Sequence, residues 1–288
     1  MVFEEFDPRL RVIFTADNLG RSQKANDAIF RAYQEGVLTA ASLPVRGTAV
    51  ESAVAWCKQN PGLEVGLQLV LTHGKSVLKP SEIVGVVDER FEFGDRLWGN
   101  AFRYRFNPQL KSALQAEVDA QIRLYRRMGL PLGFISGRGG MHLHPVVYGF
   151  IRRYHDAWKI RAIRATHDPV LTHLRLFPGR SLSNVPMGLL MRYFDQGARP
   201  LLLRRGICMT DAVLGTMASG SMDLDYLLTL LEELPPGTYE VCLNPDTDEH
   251  GDELELLLNP ELKHFMAQPG RELINHGDLV PATTSLPT

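Results

Sequence analysis

The chain has little cysteine, little net charge and no long apolar run, and each shortage removes a class of function. Cys57, Cys208 and Cys242 are its three cysteines, stand far apart in apolar runs and form no CxxC spacing. A disulfide framework, a thiolate metal site and a cysteine nucleophile are therefore disfavoured, and reduced, buried thiols are expected. The 31 basic and 33 acidic residues leave a net charge of −2 and are mixed along the chain, which is not the footprint of a nucleic-acid binder. No window approaches the run of about 18 apolar residues that a transmembrane segment needs. The N-terminal MVFEEFDPRLR is acidic and lacks the apolar centre of a signal peptide, which points to a cytoplasmic protein. No GxGxxG follows the first apolar run, and no GxSxG elbow or P-loop occurs, so dinucleotide, hydrolase-elbow and nucleotide sites are unsupported.

What is there is an alternation. Short runs rich in β-branched and aliphatic residues, RVIFTA, TAASLPV, LEVGLQLVLT, LGFISG, IRAIRA, GICMTD and YEVCLN, read as buried parallel strands. Helix patterns lie between them. In the clearest, 107–129, Asn107 is a candidate N-cap, Pro108 takes the first helical position and Gly129 follows the last turn. Its Leu110, Leu114, Val118, Ile122 and Tyr125 form one apolar stripe. A helix from about Ser22 to Glu35 puts Ala25, Ile29, Ala32 and Tyr33 on one face, and MDLDYLLTLLEELPPG turns Leu224, Leu227, Leu228 and Leu231 inward. This order predicts an α/β fold, a (β/α) barrel of about seven parallel strands. No composition shift divides the 288 residues, so a single domain over 1–288 is expected. An aromatic, poorly periodic insertion at about 76–107 is expected to cross one barrel face as a lid or wall, and residues 280–288 to form a flexible tail.

Chemistry in such a barrel sits at the carboxyl ends of the strands. Those ends carry Asp17 and Asn18 after the first run, Arg46 after the second, Gln68 within the third, and Ser136 and Arg138 at the fourth. Arg164 and His167 follow the fifth, Thr210 and Asp211 close the sixth, and Asn244 closes the seventh. Strand ends meet solvent and are often polar for that reason alone. Asp17 and Asn244 stand out because each follows a strongly apolar run. His142 and His144, in MHLHP, form the one close histidine pair. On a strand both rings would share a face, as a metal site wants, whereas Pro145 marks a helix start and a structural role, and no third ligand is near in sequence.

The order of these motifs resembles the YdjC-like carbohydrate deacetylases, and most of all their hopanoid-biosynthesis-associated branch, HpnK. The resemblance rests on VIFTADNLG…AIFRAYQEGVLTAASLPV, GLEVGLQLVLTHGKSVL, GLPLGFISGRGGMHLHPVV, RAIR, SGSMDLDYLLTLLEELPPGTYEVCLNP and LINHGDL. It implies a barrel related to polysaccharide deacetylases and metal-dependent hydrolysis of an acetamido group on a sugar. Family members typically read ADDFG at the first strand, a general base then a metal ligand; here Asp17 is kept and Asn18 stands second. A metal-binding histidine in GLHL is matched by Gln68, and one at the start of HxHxHLHP by Arg138, which leaves His142 and His144. A catalytic histidine near the seventh strand is matched by Asn244. Neutral amides are weak ligands, and a permanently protonated arginine repels a cation. Arg138 is expected instead to replace the metal electrostatically and to pair with Asp17 through a charge-assisted hydrogen bond.

These substitutions imply a carbohydrate deacetylase-like protein whose machinery is dismantled while its pocket persists. It would take no cofactor, where the family would use a divalent metal such as zinc or magnesium. Asp17 is the catalytic candidate; Asn18, Gln68, Arg138, His142, His144, Asp211 and Asn244 are the ligand-binding candidates. The expected partner is a small-molecule sugar or glycolipid, such as an amino-sugar-bearing hopanoid, with a homodimer also considered. Two alternatives stay open: an active hydrolase in which Asp17 works with His142, His144 or His73, and a non-catalytic assembly partner that uses the aromatic 91–106 segment as its contact surface.

Overall fold

Apolar runs that alternate with amphipathic helices become a ring of parallel staves in a computed structural model, which describes residues 9–178, 185–215, 218, 222–245 and 253–279. Its strands are β1 (Leu10–Ala16), β2 (Ala40–Leu43), β3 (Glu64–Leu69), β4 (Ile135–Gly137), β5 (Ala212–Leu214), β6 (Gly237–Leu243) and β7 (Arg271–Leu273). All pairings between them are parallel, in the order β4-β3-β2-β1-β6-β5, with β7 also on β1. The segment around Ile163 links the two ends of this order. Ile135 bridges Ile163, Ala162 bridges Cys208, and the Val213 N–H donates to the His167 carbonyl at 3.0 Å. The result is a barrel of seven parallel strands.

Two runs differ from the sequence expectation, and stagger between staves is the reason. IRAIRA pairs through isolated bridges rather than as a continuous strand. In GICMTD, Cys208 bridges one neighbour, while the paired strand follows the run, on Ala212–Leu214. The short β7, which no apolar run announces, takes the lower part of β1 (Leu10 to Val12), leaving Thr15 and Ala16 to β2.

Ten α-helices surround the strands among the described residues: α1 (Gln23–Glu35), α2 (Val50–Gln59), α3 (Leu97–Phe106), α4 (Lys111–Arg127), α5 (Pro145–Tyr154), α6 (Val170–Leu176), α7 (Val185–Leu203), α8 (Leu224–Glu233), α9 (Glu253–Leu258) and α10 (Pro260–Met266). The Asn107 side chain accepts from the Gln109 N–H, a short 3₁₀ turn follows, and α4 then buries Leu114, Val118, Ile122 and Tyr125. Each such side chain contributes about 1.5–3 kcal/mol of transfer free energy. Gly129 ends the helix in the left-handed region, at φ 76°. On α8 the buried face is Tyr226, Leu227, Leu230 and Leu231, rotated from the expected one; Asp223 caps the helix through the Tyr226 N–H and sets where its turns begin.

The 76–107 stretch is more ordered than its poor periodicity implies, since it contains α3. A buried carboxylate ties its start to α4: Glu117 accepts from the N–H groups of Val77 at 2.8 Å and Leu78 at 3.0 Å. At its end, the buried Tyr104 hydroxyl donates to the Leu71 carbonyl at 3.0 Å. No helix among the described residues is long and apolar enough to cross a membrane. The expected tail at 280–288 lies outside the described residues.

Candidate functional site

A cavity of about 300 Å³ opens at the carboxyl ends of the strands, lined by Asp17, His142, Arg164, Thr166, Cys242 and Asn244 together with Leu97, Met191 and Val213. That is the lower end of the range for small-molecule sites, about 300–1,000 Å³. β1 delivers Asp17, whose N–H donates to the Leu243 carbonyl at the end of β6. The chain then turns through Asn18 at φ 70°, a left-handed conformation that asparagine tolerates better than most residues. His142 arrives on a 3₁₀ segment, Arg138–Leu143, after β4, whose Gly139 and Gly140 lie at φ 59° and 70°.

Asp17 is held from two sides. The Ser42 hydroxyl donates to Oδ1 at 2.6 Å, and Arg164 Nη1 lies 2.8 Å from Oδ1 and 3.0 Å from Oδ2. Below it a ladder of alternating charge runs through the barrel interior. Arg164 Nε donates to Glu240 Oε1 at 2.8 Å; Glu240 Oε2 faces His276 Nε2 at 3.4 Å; His276 Nδ1 faces Glu64 Oε2 at 2.9 Å. Burial alone would raise the Glu240 carboxyl, but Arg164 and His276 hold it at about 2. Burial alone would lower His276, but the Glu240 and Glu64 carboxylates raise it. The His276 ring also stacks on Phe134 with centroids 3.8 Å apart.

The arginine beside Asp17 is thus Arg164, which corrects the expected Arg138–Asp17 pair. Arg138 instead bridges two loops: Nη1 donates to the His73 carbonyl at 2.6 Å and Nη2 to Asn18 Oδ1 at 2.5 Å. Asn18 Nδ2 passes the chain on to Asn244 Oδ1 at 2.7 Å. The His73 ring faces Thr72 Oγ1 at 2.9 Å and is not among the residues lining the cavity.

The histidine pair splits. Carbonyls only accept, so His142 Nε2 carries the proton it donates to the Arg164 carbonyl at 2.9 Å, which leaves Nδ1 as a buried acceptor with no partner among the described residues. Burial pushes this ring down to about 4, so it is neutral at pH 7. His144 caps α5: Nδ1 accepts the Val146 N–H at 3.4 Å, and Nε2 donates to the Ala101 carbonyl at 3.0 Å. Both nitrogens are committed, and its ring lines a separate small cleft. Gln68 is buried in β3 opposite Ser136 and does not line the cavity. Asp211 lies at the opposite end of the barrel, because β5 begins after it; its carboxylate accepts the Thr238 N–H at the start of β6 at 2.8 Å. Cys242, expected to be buried, is partly exposed to the cavity, while Cys57 and Cys208 are buried.

Several members of this arrangement escape a strand-end reading. Ser42 and Glu240 sit within strands, and His276 lies far along the chain in INHGDL. The available signal is Glu240 itself, a carboxylate inside the apolar run YEVCLN, which demands a buried partner.

Against known proteins, a family model described as YdjC-like protein matches residues 11–268. A carbohydrate deacetylase of Vibrio campbellii is 23% identical over 94% of this chain and 97% of that one. A chitooligosaccharide deacetylase of Serratia marcescens is 30% identical over 51% of this chain, the match spanning 56% of that protein. Among solved structures, one described as a putative cellobiose-phosphate cleavage protein of Enterococcus faecalis superposes with a TM-score of 0.71 at 17% identity, over 93% of this chain and 98% of that one; that likeness concerns the fold. These matches correct the expectation of no cofactor, since the family is one of deacetylases that are generally metal-dependent. The donors seen here do not fit a metal. The Asn18 amide oxygen faces a guanidinium, both His144 nitrogens are committed, and no group of three or more His, Cys, Asp or Glu among the described residues could hold an ion.

Proposed function

Because the chain belongs to the YdjC-like family, whose model spans residues 11–268, we propose that its cavity binds a carbohydrate bearing an amino or acetamido group and hydrolyses it weakly or not at all. The observation that carries this reading is the hydrogen-bond chain from Arg138 through Asn18 to Asn244. It joins side chains at positions where the resemblance implies metal ligands and a catalytic histidine, and it keeps that region polar. Asp17, tied to Arg164 and Ser42, serves as an orienting acceptor for a sugar hydroxyl or amide. His142 Nδ1 and Arg164 Nη2, both buried and without partners among the described residues, add an acceptor and a donor. Apolar Leu97, Met191 and Val213 suit the carbon face of a sugar ring. Leu97 also supports residues 76–107 as a wall of this site within one domain. The resemblance to the hopanoid-associated branch makes a lipid-linked amino sugar the first glycolipid to try.

Calorimetry and thermal unfolding with an acetylated chito-oligosaccharide and its deacetylated form test the binding. Acetate release with and without added zinc, nickel or magnesium tests the chemistry. Binding with acetate release at background is expected. Turnover in the ordinary enzymatic range, about 1–10³ s⁻¹, would overturn the claim of weak hydrolysis, and failure of every sugar to bind would overturn the whole reading. One observation favours a second reading, an active hydrolase: a neutral His142 with an open Nδ1 lines the same cavity as Asp17, an arrangement available for proton transfer.

A further inference from the structure

The helix that contributes Leu97 to the cavity wall carries an apolar stripe on its outside. On α3, Trp98, Phe102 and Phe106 recur every fourth residue and are 52%, 65% and 63% exposed. An amphipathic helix of a globular protein turns such a stripe inward. Here the inner positions are already filled, by Tyr104 and by the Ala101 carbonyl that accepts from His144. The Phe102 and Phe106 rings lie 4.6 Å apart. On α7, Leu189 and Tyr193 are 51% and 71% exposed, and the two helices share a cleft lined by Trp98, Leu190 and Phe194.

Beside this apolar surface lies a groove of about 580 Å³ lined by Arg105, Lys111, Arg152, Arg153 and Arg205, with no carboxylate in its lining. Arg105 joins the two features, its guanidinium 5.4 Å from the centre of the Phe106 ring. In a chain of net charge −2, five cations in one groove are a local excess of positive charge.

We propose that this face, formed by the outer side of α3 and the five-cation groove, docks the protein on an anionic lipid bilayer. Exposed aromatic and aliphatic side chains beside basic ones are the combination that settles at a headgroup boundary: rings enter the interface while guanidinium and ammonium groups meet lipid phosphates. Trp98 follows Leu97 of the cavity wall, so docking brings the cavity mouth next to the bilayer surface. The inference does not rest on the sugar reading, because it is drawn from a different surface and is tested with vesicles that contain no carbohydrate.

The full chain is sedimented with phosphatidylcholine vesicles, with and without phosphatidylglycerol, at low and high salt. Partition onto the phosphatidylglycerol vesicles alone, reversed by salt, is expected, with a blue shift of tryptophan emission that Trp98→Gln abolishes. Removing two cations, in Arg152→Gln with Arg153→Gln, weakens partition about thirtyfold. Phe102→Gln with Phe106→Gln also weakens it, with an unchanged melting temperature because both rings are exposed. No partition at low salt, or undiminished partition in both double variants, overturns the proposal. It also fails if Phe102→Gln with Phe106→Gln converts a dimer to a monomer while vesicles capture neither form, for the face is then a contact between copies.

Discussion

Arg164→Met removes the arginine of the buried ladder and leaves two carboxylates facing a side chain that cannot answer them. Glu240 carries most of the consequence because it is fully buried. Its carboxyl is held at about 2 against an ordinary 4.5 by Arg164 first and His276 second, and about 1.4 kcal/mol per unit makes their joint net effect roughly 3 kcal/mol at neutral pH, an upper figure for Arg164 alone. Breaking one side of a buried ion pair costs about 3–5 kcal/mol by mutational experience, so two routes give the same order. A pKa lowered on folding stabilises above the unfolded value and fades as pH falls through the folded one. The gap between the natural protein and Arg164→Met should therefore be up to about 3 kcal/mol at pH 7 and narrow as pH falls from 4.5 toward 2. Urea unfolding at several pH values measures it. Adding Glu240→Gln removes the stranded charge, so the double variant should recover stability relative to Arg164→Met alone. A gap below about 1 kcal/mol at pH 7, or no recovery in the double variant, would refute the reasoning that the ladder is a coupled set of charges.

Burial holds both His142 and His144 at about 4 against an ordinary 6.5, so the unfolded chain takes up protons that the folded one refuses. Their stability contribution is present above pH 6.5 and lost as pH falls toward 4; His142→Gln with His144→Gln should flatten that part of the stability profile, and equal slopes would contradict the burial argument. Asp17→Asn removes the anion that Arg164 faces in the cavity and should weaken sugar binding at least about tenfold, the loss of roughly one charge-assisted hydrogen bond; an unchanged calorimetric Kd would take Asp17 out of the site. Gly140→Ala places a Cβ 2.5 Å from the Met191 sulfur at a backbone φ of 70°. It should cost about 1–3 kcal/mol in differential scanning calorimetry, and an unaltered melting temperature would count against the tight turn.

The staves and the mouth are legible because their signals are local. Apolar runs bounded by polar residues mark β1, β3 and β6, and Asp17, His142 and Asn244 fall near one another because parallel strands end on the same side. Asn107, Pro108 and Gly129 frame a helix through capping and backbone chemistry that any window of the sequence displays. Less legible is everything that depends on the offset between neighbouring strands. Periodicity says which face a residue occupies and nothing about its height along the barrel. Asp211 therefore reads as the end of a strand and proves to precede one, and Arg138 reads as the nearest cation to Asp17 while the bridge between Ile135 and Ile163 sets Arg164 beneath it.

The ladder supplies the physical reason for that choice of arginine. Glu240 is fully buried on β6 and needs a cation inside the barrel. Arg164 meets that need with Nε and still reaches Asp17 with Nη1, so a single guanidinium pairs with two carboxylates. If Arg138 held Asp17 and Arg164 were absent, Glu240 would keep His276 as its partner, and His276 is already shared with Glu64. Each inner member of the set is thus fixed by two neighbours of opposite charge, whereas Asn18, Arg138 and Asn244 at the mouth are joined by single hydrogen bonds between side chains. A change at the mouth breaks hydrogen bonds that solvent or a ligand can replace; a change in the ladder strands a buried charge. Variants at Arg138 and Asn244 should consequently alter ligand preference with little effect on stability, while variants at Glu240 and His276, which do not line the cavity, should do the reverse.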